Sequence, residues 1–181
     1  MNFSALQRKK LLDIAESAIL NCLDVKHDIE IPGEEIDDEF CKEAGAFVSV
    51  YVSNNLRGCI GTFSQNEPLF ENVKKMAVSA AFDDSRFKPI RLDDIDELKI
   101  EISVLTPRKR IFSPDEIEVG KHGIYIISGM NRGTLLPQVA VKNDWSNIEF
   151  LEYCAQYKAG IHKSEWRNAE LYTYEAIVFS G

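Results

Sequence analysis

A run rich in β-branched and aromatic residues, Phe47-Val48-Ser49-Val50-Tyr51-Val52, leads directly into Ser53-Asn54-Asn55 and then into Leu56-Arg57-Gly58-Cys59-Ile60-Gly61. Such side chains favour extended backbone, and a short Asn-rich link turns the chain back on itself, so the pattern predicts an antiparallel hairpin. A chain built on a hairpin cannot be all-helical, and two strands joined without an intervening helix do not start a regular βαβ array. Strand alternation places Arg57 and Cys59 on one face of the return strand, with Leu56, Gly58 and Ile60 on the other.

Reactive residue types also meet in that return strand. Cys59 is a thiol set among glycines and is a candidate nucleophile, while Arg57 is a candidate anion clamp or a charge that activates the thiol. Gly58 and Gly61 are positions where a ligand can approach the backbone closely. Packing accounts for the same residues in another way: cysteine is among the most buried residue types, glycine in a strand often marks a bulge, and arginine pairs with carboxylates.

The rest of the chain supplies helices around further strands. Ser4 with Gln7 is a capping-box signature, and Leu11, Ile14, Ala15, Ala18, Ile19 and Cys22 recur at helical spacing, which puts Cys22 on a packed stripe. The densely acidic stretch from Asp24 to Gly45, interrupted by Pro32-Gly33, reads as a surface loop with about one helical turn near Phe40; His27 within it is a loop residue. Asn66 and Pro68 open a second helix with a stripe at Leu69, Val73, Met76, Ala77 and Ala80, followed by Asp83-Asp84-Ser85-Arg86, where Asp84 and Arg86 are further site candidates. Lys99 to Thr106, Ile124 to Ile127 and Leu171 to Phe179 read as strands, and Leu135 to Ala140, with Pro137 inside it, as an edge strand or ordered loop. Ser146 with Glu149 caps a third helix ending at Gly160, and His122, at a strand entrance, is a candidate base. The expected fold is α+β with a largely antiparallel sheet and flanking helices.

Charge and cysteine usage narrow the function classes. The 21 basic residues against 29 acidic ones give a net charge of -8 and form no basic stripe, which opposes polyanion binding. Cys22, Cys41, Cys59 and Cys154 are widely spaced, without a C-x-x-C pair, and no glycine-rich phosphate loop occurs, so the expectation is a reduced cytoplasmic protein with no metal or cofactor. No apolar run approaches the length of a membrane span.

Five ordered stretches then resemble one family. Leu56 to Phe63, Ser79-Ala80-Ala81-Phe82-Asp83-Asp84-Ser85-Arg86-Phe87, Glu101 to Pro107, Leu135 to Ala140 and Lys158-Ala159-Gly160 are similar to the AMMECR domain family, called AmmeMemoRadiSam system protein A in prokaryotes. The resemblance implies a single domain over residues 1–181, two-lobed α+β, or one with a smaller lobe drawn from the middle of the chain. It implies no settled activity, but association with a Memo-like protein and a radical SAM enzyme, and it makes Cys59 the natural candidate for chemistry. Two departures from the pattern stand out. His122 occupies an expected acidic position, and the helix carries one residue more between Phe150 and Lys158, which leaves the register of Cys154 open.

Two functions follow. The first is a component or adaptor of a modification system with those partners; the alternative is a cysteine-dependent enzyme in which Cys59 is the nucleophile, Arg57 binds an anion and His122 or Asp84 acts as base. Both predict a protein that binds neither nucleic acid nor membrane. Fluorescence anisotropy with labelled DNA and RNA is expected to show no micromolar binding at physiological salt; tight binding with a steep salt slope would overturn the charge argument.

Overall fold

The hairpin forms as its residues dictate. β1 (Ala46–Val52) pairs antiparallel with β2 (Asn55–Thr62) through a two-residue turn in which Ser53 (φ 51°) and Asn54 (φ 62°) are both left-handed. That geometry matches the right-handed strand twist, and Asn adopts it at low cost. The computed structural model describes residues 3–24, 37–63 and 66–181, so His27 and Pro32-Gly33 lie outside the described residues. The chain divides into two compact units, Met1–Leu105 with Ile177–Gly181, and Thr106–Ala176.

In the first unit, β3 (Leu98–Leu105) pairs antiparallel with β1 on the side opposite β2, and Ile100 and Gly181 exchange backbone hydrogen bonds at 3.1 Å beyond it. Alternation gives this sheet two unlike faces. Ala46, Val48, Val50, Ile100, Ile102 and Val104 are buried in one core cluster with residues of two helices, α1 (Ala5–Cys22) and α3 (Leu69–Phe82). Each large apolar side chain taken out of water there contributes about 1.5–3 kcal/mol. A four-residue helix, α2 (Asp38–Cys41), adds Phe40 to the same core. The other face carries Phe47, Ser49, Tyr51, Cys59 and Glu101, the positions between.

The first helix begins where its cap predicts, whereas α3, expected to open at Asn66 with Pro68 inside it, begins at Leu69 with Pro68 at the N-cap and no side-chain cap. The Ser4 hydroxyl accepts the Gln7 N–H at 3.2 Å while Gln7 Oε1 accepts the Ser4 N–H at 2.9 Å, and Leu11, Ile14, Ala15, Ala18 and Ile19 form the buried stripe. Cys22, expected on that stripe, is exposed as the last helical residue, because Ile19 and Leu20 already complete the buried turn. In α3 the small residues Ala77, Ala80 and Ala81 are buried and bring the helix backbone onto β2. A Cβ on Gly58 would lie 1.8 Å from the Ala80 carbonyl oxygen, so no side chain fits between helix and strand.

The second unit holds β4 (Lys109–Ile111), β5 (His122–Ser128), β6 (Asn131–Leu135), α4 (Pro137–Lys142), α5 (Asn147–Cys154) and most of β7 (Glu170–Ser180). β7 pairs antiparallel with both β4 and β5, and β5 with β6. Of Leu135 to Ala140, expected as edge strand or ordered loop, Leu135 ends β6 and the residues from Pro137 onward are helical. Pro137 sits at the first helical position, where a missing N–H costs nothing and its fixed φ starts the turn. A π-turn, Ala155–Ala159, continues α5 and ends at left-handed Gly160 (φ 68°). Cys154, whose register the sequence leaves open, faces inward and is buried with Phe150 and Leu151. The architecture is α+β, and all named strand pairs are antiparallel.

Replacing Gly58 by Ala is expected to cost about 3 kcal/mol, since the methyl group must push aside backbone rather than a side-chain end. Urea unfolding midpoints of the two proteins measure this, and an unchanged midpoint would show that α3 and β2 are not in direct backbone contact.

Candidate functional site

β2 pairs only with β1 among the described strands, so its outward N–H and C=O groups need partners from elsewhere. At Cys59 a single ion pair supplies both. The Cys59 N–H donates to Asp84 Oδ2 at 2.9 Å, and Arg86 Nη2 donates to the Cys59 carbonyl at 3.0 Å. Asp84 and Arg86 are joined by two further hydrogen bonds, Nε to Oδ1 at 2.8 Å and Nη2 to Oδ2 at 2.6 Å, and the Arg86 N–H donates to Oδ1 at 3.2 Å. The Asp84 side chain is 4% exposed while that of Arg86 is 54% exposed. The Arg86 hydrogen bonds outweigh burial and hold the Asp84 carboxyl well below the usual carboxylate range. So held, the Asp84 carboxylate clamps the Cys59 backbone.

The thiol itself points to the polar face of the sheet. Register pairs Cys59 with Ser49 and Ser49 with Glu101, so thiol, hydroxyl and carboxylate stand on one rung of three strands. Ser49 is buried and its hydroxyl donates to Cys59 Sγ at 3.3 Å. Tyr51, two residues along β1, shares this face. Burial pushes its phenol up, the nearby Glu101 and Cys59 charges add to that, and a hydrogen bond with Ser49 opposes it. Burial also raises the Glu101 carboxyl. Cys59 is half-buried, Cys22 and Cys41 are exposed, and Cys154 is buried, its thiol pushed up to about 12 by burial.

Other candidate residues take different places. The register slips between Val50 and Tyr51, where Val50 faces Gly58 and Tyr51 faces Leu56, leaving Arg57 as the extra residue of a bulge. The strict alternation that set Arg57 beside Cys59 is thereby interrupted. Arg57 instead pairs with Asp94 at 3.4 Å and donates to the Lys88 carbonyl at 3.4 Å. The cation at the thiol's backbone is Arg86. The room left by the glycines is filled by protein: Ala80 at Gly58, and at Gly61 the Phe47 ring, 2.1 Å from where a Cβ would stand. His122 belongs to the second unit, where its Nδ1 accepts the Glu118 N–H at 3.1 Å.

Ser49, Tyr51 and Glu101 were not singled out from sequence. Their signal was the alternation of β1 and β3 combined with a register counted back from the Ser53-Asn54 turn. Among the described residues no cluster of His, Cys, Asp and Glu is placed to hold a metal, and no helix is long and apolar enough to cross a membrane.

The AMMECR1 family pattern matches residues 12–179. The chain is similar to a protein of Aquifex aeolicus, 37% identical over 96% of this chain and 89% of that one, and to Protein NEQ441 of Nanoarchaeum equitans, 38% identical over 93% and 97%. A crystal structure of Pyrococcus horikoshii PH0010 superposes with a TM-score of 0.85 at 35% identity, covering 94% of this chain and 89% of that one.

Because the folded Asp84 ionises below its unfolded value, the clamp contributes stability above about pH 4 and loses it as pH falls toward the folded value. Asp84→Asn is expected to cost about 3 kcal/mol at pH 7, with the gap to the parent closing below about pH 4. Urea midpoints across pH test this; a gap independent of pH would mean that the carboxylate charge is not what closes the strand edge.

Proposed function

The chain belongs to the AMMECR1 family, and from that premise we propose that it is the thiol-bearing component of a cytoplasmic protein or small-molecule modification system, with Cys59 as nucleophile. The carrying observation is how Cys59 is held: Asp84 and Arg86 fix its N–H and carbonyl while the Ser49 hydroxyl donates to its sulfur. Fixed backbone, half-exposure and a donor aimed at sulfur hold Sγ accessible in one orientation, which is what nucleophilic attack requires. In that step Sγ forms a bond to an electrophilic carbon, the leaving group departs with the electron pair of its bond, and the thiol proton passes to water. The Memo-like protein and radical SAM enzyme implied by the family resemblance are the partners of this proposal. Net acidity and free, unpaired cysteines support a reduced setting without nucleic acid.

Pulsed iodoacetamide labelling read by peptide mass tests the role of the thiol. Cys59 is expected to react in the native state, Ser49→Ala to slow it at least fivefold, the value of one hydrogen bond to a charged acceptor, and Cys154 to react only on unfolding. If Cys59 is as inert as Cys154, thiol chemistry fails and an adaptor without a reactive residue remains.

A further inference from the structure

Glu101 is a carboxylate on the thiol's face of the sheet that the clamp and the Ser49 contact leave unused. It is half-buried, and among the described residues no donor bonds to it and no cation pairs with it. Asp84, by contrast, is neutralised by Arg86. Lys99, two residues along the strand, gives its ammonium to Asn54 Oδ1 at 2.8 Å instead. Glu101, Lys99, Tyr51, Asn54 and Ser180 line a cavity of about 220 Å³.

This cavity and the thiol are neighbours. Glu101 and Cys59 stand at the two ends of the rung centred on Ser49, and with strands spaced about 4.8 Å their backbones are about 10 Å apart. Tyr51 lines the cavity and stands on the thiol's face of β1, two residues from the Ser49 that donates to Cys59 Sγ. A partly buried carboxylate is costly until a cation or several donors meet it. A ligand carrying an ammonium group supplies both, and a cavity of this volume admits a small molecule.

We propose, resting on the reading of Cys59 as nucleophile, that this cavity is the recognition pocket for the substrate of Cys59 and that Glu101 selects a small molecule bearing an ammonium group. Bound there, the ammonium pairs with Glu101 while an electrophilic carbon about 10 Å away along the rung meets Sγ. Lys99 acts against the same cation, so the net preference is the balance of two opposite charges on one strand.

Three alkylating reagents of one length that differ in charge decide it: 8-bromooctylammonium, whose extended chain spans about 10 Å, 8-bromooctan-1-ol and 8-bromooctanoate, each reacted with the full chain at low ionic strength, where charges are least screened. The cationic-to-neutral rate ratio at Cys59, divided by the same ratio for the small neutral thiol N-acetylcysteine amide, is expected to be about fourfold, the value of one partly exposed ion pair. The carboxylate reagent is expected to be disfavoured. Glu101→Gln, with its fold checked by near-UV circular dichroism, should bring the ratio to that of the small thiol or below it, since Lys99 remains, and Lys99→Gln should raise it above the parent value. A reactive Cys59 with no charge preference, or a preference that survives Glu101→Gln, overturns this proposal and leaves the nucleophile standing. A Cys59 inert to all three reagents overturns both.

Discussion

The Asp84–Arg86 pair is the interaction on which the site rests. An edge strand presents backbone donors and acceptors with no neighbour, and each one left dry and unpaired costs free energy on the scale of a lost hydrogen bond. Here the carboxylate takes the N–H of Cys59 and the guanidinium takes its carbonyl, so two side chains stand in for the strand that β2 lacks. The pair therefore prevents edge pairing with other chains and fixes the backbone that carries the thiol. Its charge matters because Asp84 is buried while Arg86 reaches solvent: the carboxylate is desolvated only against a cation that keeps part of its hydration.

Close approach on the two sides of β2 explains the glycines. On one side Gly58 admits the α3 backbone, and on the other Gly61 lies under the Phe47 ring. Neither glycine is left open for a ligand. What they permit is a strand pressed between a helix and an aromatic ring, with Cys59 between them turned to the polar face. That face is polar because it bears the residues alternate to those buried under the helices, and it gathers the Ser49 hydroxyl, the Tyr51 phenol and the Glu101 carboxylate around one thiol. Arg57 does not join these groups, because the bulge turns its guanidinium aside to Asp94.

Local physics made much of this readable in advance. The hairpin, the capping boxes at Ser4 and Ser146, the glycine stop at 160 and the α+β class depend on side-chain periodicity and turn chemistry over a few residues, which sequence displays directly. Cys59, Asp84 and Arg86, which hydrogen bonds bring together, were visible as candidates as well, since reactive and charged types in glycine-rich or irregular segments are few. Pro137 was misjudged because proline is compatible with both an edge strand and the first turn of a helix, and only the surrounding core decides between them. The π-turn at Ala155–Ala159 carries no local sequence signal, and the inward register of Cys154 depended on which side chains the core could take.

By itself, then, the sequence determined the elements, their polar and apolar faces, and the thiol around which a site can form, because these follow from residue types at short spacing. Tertiary structure alone decided which partners the thiol has. Asp84 and Arg86 reach Cys59 across 25 and 27 residues of chain, and Glu101 stands on its rung through two strand registers. The bulge at Arg57 removed the cation that alternation had offered. Such pairings are set by packing between distant segments, where a one-residue shift in register exchanges the faces of a strand, and no local pattern encodes that choice.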